Sequence, residues 1–351
     1  MNIHDLARHL NVSIGTVSRA LNGRRDVSAE TRRRVMEAAD ALGYTPNQSG
    51  RSLRQGATGI VGFMIATNPE RTTKGEAFFM AVLEGLQPYL AERGLDVVVL
   101  LCSANQDPLA YLRRVVERRL ADGMIIAETQ RVDPRIEYLH KRRIPFVAFG
   151  RSLSGGAHPW VDLDFEGVAE QAIERLVRGG HRRIAVATAS SEINYGYLFV
   201  DACRAILERH GIMLSDELVL REALTEAGGF RVGERMLALA DRPTALLLVD
   251  NKMATGLYHK FHEAGVMPGR DVSVIGFDES PQARYLSPSL TCFRASLADL
   301  GRQLGETLFD AIGNKSAGGG RPQQTVWPME LLVGESDRFQ GALRKRAAAF
   351  R

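Results

Sequence analysis

From Gly59 onward the sequence alternates apolar runs with amphipathic stretches, and this alternation constrains the fold more than any other feature. GIVGFMIA (59–66), DVVVLL (96–101), GMIIA (123–127) and IPFVAFG (144–150) are short and almost wholly apolar, as expected of strands buried on both faces. Helical patterns at Phe78–Arg93, Leu109–Leu120 and Ile136–Arg142 separate them. The pattern then repeats: helix 166–178, strand 183–188, helix 197–209, strand 217–220, helix 229–240, strand 244–249, helix 252–264, strand 272–277. Such alternation predicts an α/β fold of parallel β-α-β units with right-handed crossovers, here two doubly wound lobes in succession. Ligands in such lobes sit at the carboxyl ends of strands, so a cleft between the lobes is the expected pocket.

The first 46 residues follow a different, all-helical pattern. Ile3, Leu6, Ala7 and Leu10 share one face of a short helix. Asn11 to Ser13 separate it from a second, in which Val17 and Leu21 face inward while Thr16, Ser18, Arg19 and Asn22 face outward. Ser13 is placed as an N-cap. Two short helices joined by a tight turn form a helix-turn-helix, whose second helix enters the DNA major groove. A third helix over 29–44, with Ser28 as N-cap, closes a small core through Val35, Ala38, Ala39 and Leu42. Residues 47–56, NQSGRSLRQG, offer about two turns of helix interrupted by Gly50; so short a helix is marginal alone, and the segment is expected to order only on a partner.

Charge supports a polyanionic partner. Residues 1–56 hold nine arginines against five acids, which accounts for the whole net charge of +4; the remaining residues balance. No apolar run approaches the ~20 residues of a membrane span, and the opening residues are too polar for a signal peptide. Cys102, Cys203 and Cys292 are far apart and flanked by apolar or small residues, which suggests buried free thiols in a reducing cytoplasm.

At this point the sequence resembles the LacI family of bacterial transcription regulators. NIHDLARHLNVSIGTVSRALNG, VSAETRRRVMEAADALGYTPN, RSLRQG, GGHRRIAV, DVSVIGFD and LSPSLT occur in the family's order. The resemblance implies a helix-turn-helix headpiece (1–46), a hinge helix (47–57) and a periplasmic-binding-protein-like core (58–340). The core's lobes are expected over about 58–160 with 290–325, and 161–289 with 326–340, followed by a basic tail (341–351). It further implies a homodimer acting as a repressor on double-stranded operator DNA, its affinity set by a small effector, often a sugar, with no cofactor and no membrane association. Carried over by position, Ile14, Gly15 and Arg19 fall where the family reads base edges: Ile14 offers apolar contact, Arg19 can bond guanine, and Gly15 contributes no side chain. Ser13, Thr16, Ser18, Asn22, Ser28 and Thr31 suit phosphate positioning. Asn47, Arg51 and Arg54 flank Leu53, which sits where the family's hinge leucine wedges into the minor groove.

For the effector, the resemblance points to Phe78 and Phe79 after the first strand and to Asp278 in GFD, where a carboxylate can accept paired hydrogen bonds from sugar hydroxyls. Thr129, Arg151, Asp250 and Asn251 lie at strand ends, and Asn194 and Tyr195 in a loop. Three positions depart from the family. Its frequent arginine is Ile193 here, its Asn-Asp pair is Asp250-Asn251, and its Asp-Asn pair is Asp164-Phe165. Loss of an arginine argues against a carboxylate-bearing effector and for a neutral sugar or polyol. An enzyme is the rival class, but the phosphate-cradling patterns GxGxxG and GxxxxGK[ST] are missing from the first strand–helix turn. His259 and His262, three apart, lack further ligands nearby. A periplasmic sugar receptor would need an export signal and no headpiece. A nucleobase corepressor stays open within the leading class.

Overall fold

The computed structural model describes residues 2–21, 24, 26–44, 57–66, 76–280, 283–314 and 321–338. Contacts divide the chain into two units, 1–59 and 60–351. The first holds α1 (Ile3–Leu10), α2 (Ile14–Leu21) and α3 (Ala29–Ala41). Asn2 and Asp5 form a capping box at the start of α1. Asn11 then adopts a left-handed φ of 51°, its N–H donating to the carbonyls of Ala7 and Arg8, which turns the chain into α2. Leu6, Val17 and Val35, one from each helix, are buried together.

The second unit begins with β1 (Ile60–Ala66), α4 (Glu76–Ala91), β2 (Asp96–Cys102), α5 (Pro108–Glu117), β3 (Gly123–Ile126), α6 (Pro134–Lys141), β4 (Phe146–Phe149) and β5 (Trp160–Leu163). It continues with α7 (Phe165–Arg178), β6 (Ile184–Ala189), α8 (Asn194–Arg209), β7 (Val219–Glu222), α9 (Glu226–Ala238), β8 (Ala245–Leu248), α10 (Lys252–Glu263), β9 (Ser273–Asp278) and β10 (Thr291–Arg294). The last elements are α11 (Leu297–Asn314), β11 (Gln324–Trp327) and β12 (Glu330–Leu332).

Two six-stranded sheets result, ordered β11-β5-β4-β3-β1-β2 and β12-β10-β9-β8-β6-β7. Strand order is thus the same in both lobes, and every pairing is parallel except β10 with β12. Both faces of the first sheet are covered: Phe63, Ile125 and Val147 belong to the core under α4 and α11, Met64, Met124 and Phe146 to that under α5 and α6. Among the described residues the edge strand β2 and α4 leave Met80, Val98, Val99 and Leu101 exposed. All three cysteines are buried.

The chain passes from one sheet to the other after Leu163, Arg294 and Trp327. Trp160–Leu163 is the fifth strand of the first sheet and Thr291–Arg294 that of the second. The expected strand at 217–220 is corrected: Leu218 N–H donates to the Ser215 carbonyl, closing a 3₁₀ turn over Asp216–Leu218, and the strand runs from Val219 to Glu222. The hinge (47–57), apart from Ala57, and the tail (341–351) lie outside the described residues.

Helices α4 and α11 cross backbone to backbone at Gly85 and Gly301. A Cβ at Gly85 would stand 1.7 Å from the Ala298 carbonyl oxygen, and one at Gly301 1.9 Å from that of Val82. Gly85→Ala should therefore force the crossing open and destabilise the first lobe by about 1–3 kcal/mol, read as a lowered denaturant midpoint.

His181 is buried at the amino ends of the second sheet, its ring nitrogens 2.8 Å from Thr244 Oγ1 and 3.0 Å from Ser273 Oγ. Burial favours the neutral ring and pushes its pKa down to about 4. The unfolded chain then binds a proton that the folded one refuses. The contribution to stability is complete above pH ~6.5 and is lost as pH falls toward 4. Stability should fall by about 1–2 kcal/mol from this group between pH 7 and 5, and His181→Gln should flatten that slope.

Candidate functional site

Two places gather the candidate residues. The first is the outer face of α2. Ser13 Oγ accepts the Thr16 N–H at 3.0 Å and lies 2.9 Å from the Thr16 hydroxyl, so both residues fix the start of the helix. Ser28 and Thr31 do the same for α3, at 3.2 Å from N–H to oxygen. Between these caps Ile14, Gly15 and Arg19 stand exposed and Ser18 half-exposed. A Cβ on Gly15 would meet only Ser13 Oγ at 3.6 Å and Arg19 at 3.9 Å, so the missing side chain leaves open room on the face. Arg19 Nε lies 3.6 Å from Asp26 in an exposed, weak pair that a stronger anion can displace. Arg32, by contrast, donates to the Arg24 carbonyl at 2.6 Å. Asn22, Asn47, Arg51, Leu53 and Arg54 lie outside the described residues.

The second is a cavity of about 550 Å³ at the carboxyl ends of the strands of both lobes. Phe78, Phe79, Thr129, Arg151, Tyr195, Asp250 and Asp278 line it. So do Phe149, Phe165, Phe277, Glu128, Asp162 and Lys252, which sequence reasoning did not single out. Three of the aromatic rings form a stack: Phe165 lies between Phe277, at a 4.6 Å centroid distance, and Tyr195, at 5.2 Å. Phe78 stacks on Phe149 at 6.0 Å. One further signal is in the backbone: Glu128 holds a left-handed φ of 53° at the end of β3.

Asn194 and Asn251 are buried behind the wall rather than on it. Asn251 Oδ1 accepts the Phe277 N–H at 2.9 Å, and its own N–H donates to Asp278 Oδ1 at 3.2 Å, so it seats the end of β9. Asn194 ties the lobes together: its Nδ2 donates to the Arg151 carbonyl at 2.8 Å and its N–H to that of Thr129 at 2.9 Å. Beside it Arg131 N–H donates to the Glu192 carbonyl at 3.0 Å.

Charge sits at both ends of the cavity. Arg151 binds Glu166 through both terminal nitrogens, at 2.6 and 2.7 Å, and Asp162 through Nε at 2.8 Å. Burial raises Asp162 to about 6 despite this guanidinium. At the other end Lys252 Nζ is 3.3 Å from Asp250. Burial, and then the neighbouring Asp250, push Asp278 well above the usual carboxylate range. Both described cations of the cavity are thus engaged by carboxylates, while Asp278 presents an oxygen able to accept or, when protonated, to donate.

A model for bacterial regulatory proteins of the lacI family matches residues 2–47, and one for the periplasmic binding protein-like domain matches 173–336. The HTH-type transcriptional regulator AglR of Rhizobium meliloti is 34% identical, covering 95% of this chain and 93% of the relative. RafR of Escherichia coli is 31% identical, covering 90% and 93%. Among solved structures, the transcriptional regulator CelR–cellobiose complex superposes with a TM-score of 0.71 at 26% identity, covering 96% of this chain and 99% of that one. The lac repressor dimer bound to operator gives 0.82 at 20% identity, covering 96% and 98%, and so speaks for the fold. With a helix-turn-helix ahead of two doubly wound lobes and a relative this similar along nearly its whole length, the chain belongs to the lacI family of DNA-binding transcriptional regulators.

Proposed function

We propose that the protein is a dimeric repressor whose grip on operator DNA is set by a neutral, sugar-like effector held between the lobes of the core. The observation that carries the reading is the character of the cavity: flat aromatic faces for the apolar side of a ring, an acidic end for hydroxyls, and both described cations already neutralised. A ligand bearing a carboxylate would have to displace Glu166 or Asp250; a polyol would not. The CelR–cellobiose complex, a relative at 26% identity, supports the same ligand class. The edge strand β2, with exposed Val98, Val99 and Leu101, and Met80 of α4 supply apolar surface for a second copy beside the mouth of the cavity, which Met80, Val99 and Leu101 also line. In each headpiece α2 enters the major groove, with Ile14 and Arg19 reading bases and Ser13, Thr16, Ser18, Ser28 and Thr31 beside the backbone. In the hinge, Leu53 wedges the minor groove. Titrating binding of a selected operator against a panel of sugars, polyols and nucleobases tests the reading; a response to nucleobases alone overturns the sugar assignment.

Two substitutions separate the sites. Arg19→Ala should cost about 1–3 kcal/mol on the operator and relax preference at one base pair, whereas equal loss on random DNA would remove Arg19 from base readout. Asp278→Ala should leave operator binding intact and abolish the effector response. Calorimetry that finds unchanged effector affinity in this variant would exclude Asp278 from the site.

A further inference from the structure

Six helix-to-strand turns of the core close with the same pair of backbone hydrogen bonds, for example Gly94 N–H to the Ala91 carbonyl and Leu95 N–H to that of Leu90. The residue at the left-handed position is glycine in four of them: Gly94, Gly180, Gly211 and Gly265, with φ between 66° and 89°. In the other two it is arginine. Arg119 follows α5 with φ 50° and Arg143 follows α6 with φ 52°, a region that a Cβ disfavours. Each is preceded by a second arginine, Arg118 and Arg142, at the C-cap. All four are exposed, and none has an ion pair among the described residues. The nearby acids are Glu117 and Asp122 on the first turn, Asp96 at the start of β2 opposite Ile60, and Glu137, which binds Lys141 at 2.6 Å. Arginine thus stands at two neighbouring turns where the four comparable turns use glycine.

Topology places these turns. They feed β3 and β4, adjacent strands of the first sheet, and β3 lies beside β1. The arginine pairs therefore stand at the amino edge of the sheet, opposite the cavity, next to Ile60, where the core begins after the headpiece and linker. Arg142 and Arg113 flank the ring of Tyr138 at 5.7 and 5.5 Å, which adds a further cation beside the second pair.

We propose that this basic rim binds backbone phosphates of duplex DNA flanking the operator, so that the core itself adds a sequence-independent grip. The inference rests on the DNA-binding assignment of the family. Paired guanidinium groups suit phosphates, and a duplex offers them at high linear density. The edge shared with the headpiece connection favours DNA over an acidic protein partner.

The test uses the full-length protein and an operator selected from random duplexes, presented in a minimal form of about 20 base pairs and in a form of about 60. Arg119→Gly with Arg143→Gly keeps the turn geometry, so thermal stability should be unchanged or raised. On the long duplex this double variant should bind about tenfold more weakly, with a shallower salt dependence, by roughly one unit of slope for each phosphate that an arginine no longer neutralises. On the minimal duplex it should match the wild type. Equal affinity of variant and wild type for the long duplex, or equal weakening on both, overturns the proposal. Failure of the wild type to select any operator would instead overturn the DNA-binding reading on which it rests.

Discussion

Because the strands of each sheet run parallel, with β12 the one antiparallel strand, their carboxyl ends must collect along one edge, and the loops that leave them must share one space. In this core both sheets turn that edge toward the same cavity. Everything the cavity offers follows from it: Glu128 and Thr129 leave β3, Arg151 leaves β4, Asp250 leaves β8, and Asp278 ends β9. The opposite edge receives most of the returns from helices, and Ile60, where the chain enters the core. The same directionality therefore gives each lobe two chemically different ends.

Sequence pattern made the central strands and most helices legible because burial on both faces leaves apolar runs that little else produces. Its failures are local and physical. Helices α5, α6 and α9 begin earlier than the apolar period suggests, because Asp107, Asp133 and Thr225 accept first-turn N–H groups and extend them. WVDL, the fifth strand of the first sheet, is four residues long and buries an aspartate, Asp162, that a strand reading discounts. The C-terminal helix α11 and strand β11 complete a lobe whose last earlier strand, β5, ends more than a hundred residues before them, a relation that no window along the chain contains.

The aromatic residues that the resemblance named, Phe78, Phe79 and Tyr195, line the cavity, whereas two of the polar ones do not. Phe149 and Phe277 fall in runs that read as buried strands, because a strand-end phenylalanine facing a cavity has the same neighbours in sequence as one facing a helix. Asn194 and Asn251 show the converse. Asn251 falls in the family's Asn-Asp pair and Asn194 stands beside the position of its arginine, yet here their side chains hold loops in place. Substitution of the family's arginine by Ile193 is consistent with that change, since Ile193 is buried and pairs with Gln130 in an isolated bridge between the lobes.

That bridge, with the backbone bonds of Thr129 and Arg131 to residues 192–194, has a kinetic consequence. It joins the lobes at one side of the cavity by hydrogen bonds between backbone groups. A bound molecule can leave by that side only after the lobes part there, and an incoming one meets the same barrier. Residence time and equilibrium affinity are then governed by different residues: the first by how often this seam opens, the second by the rings and carboxylates inside.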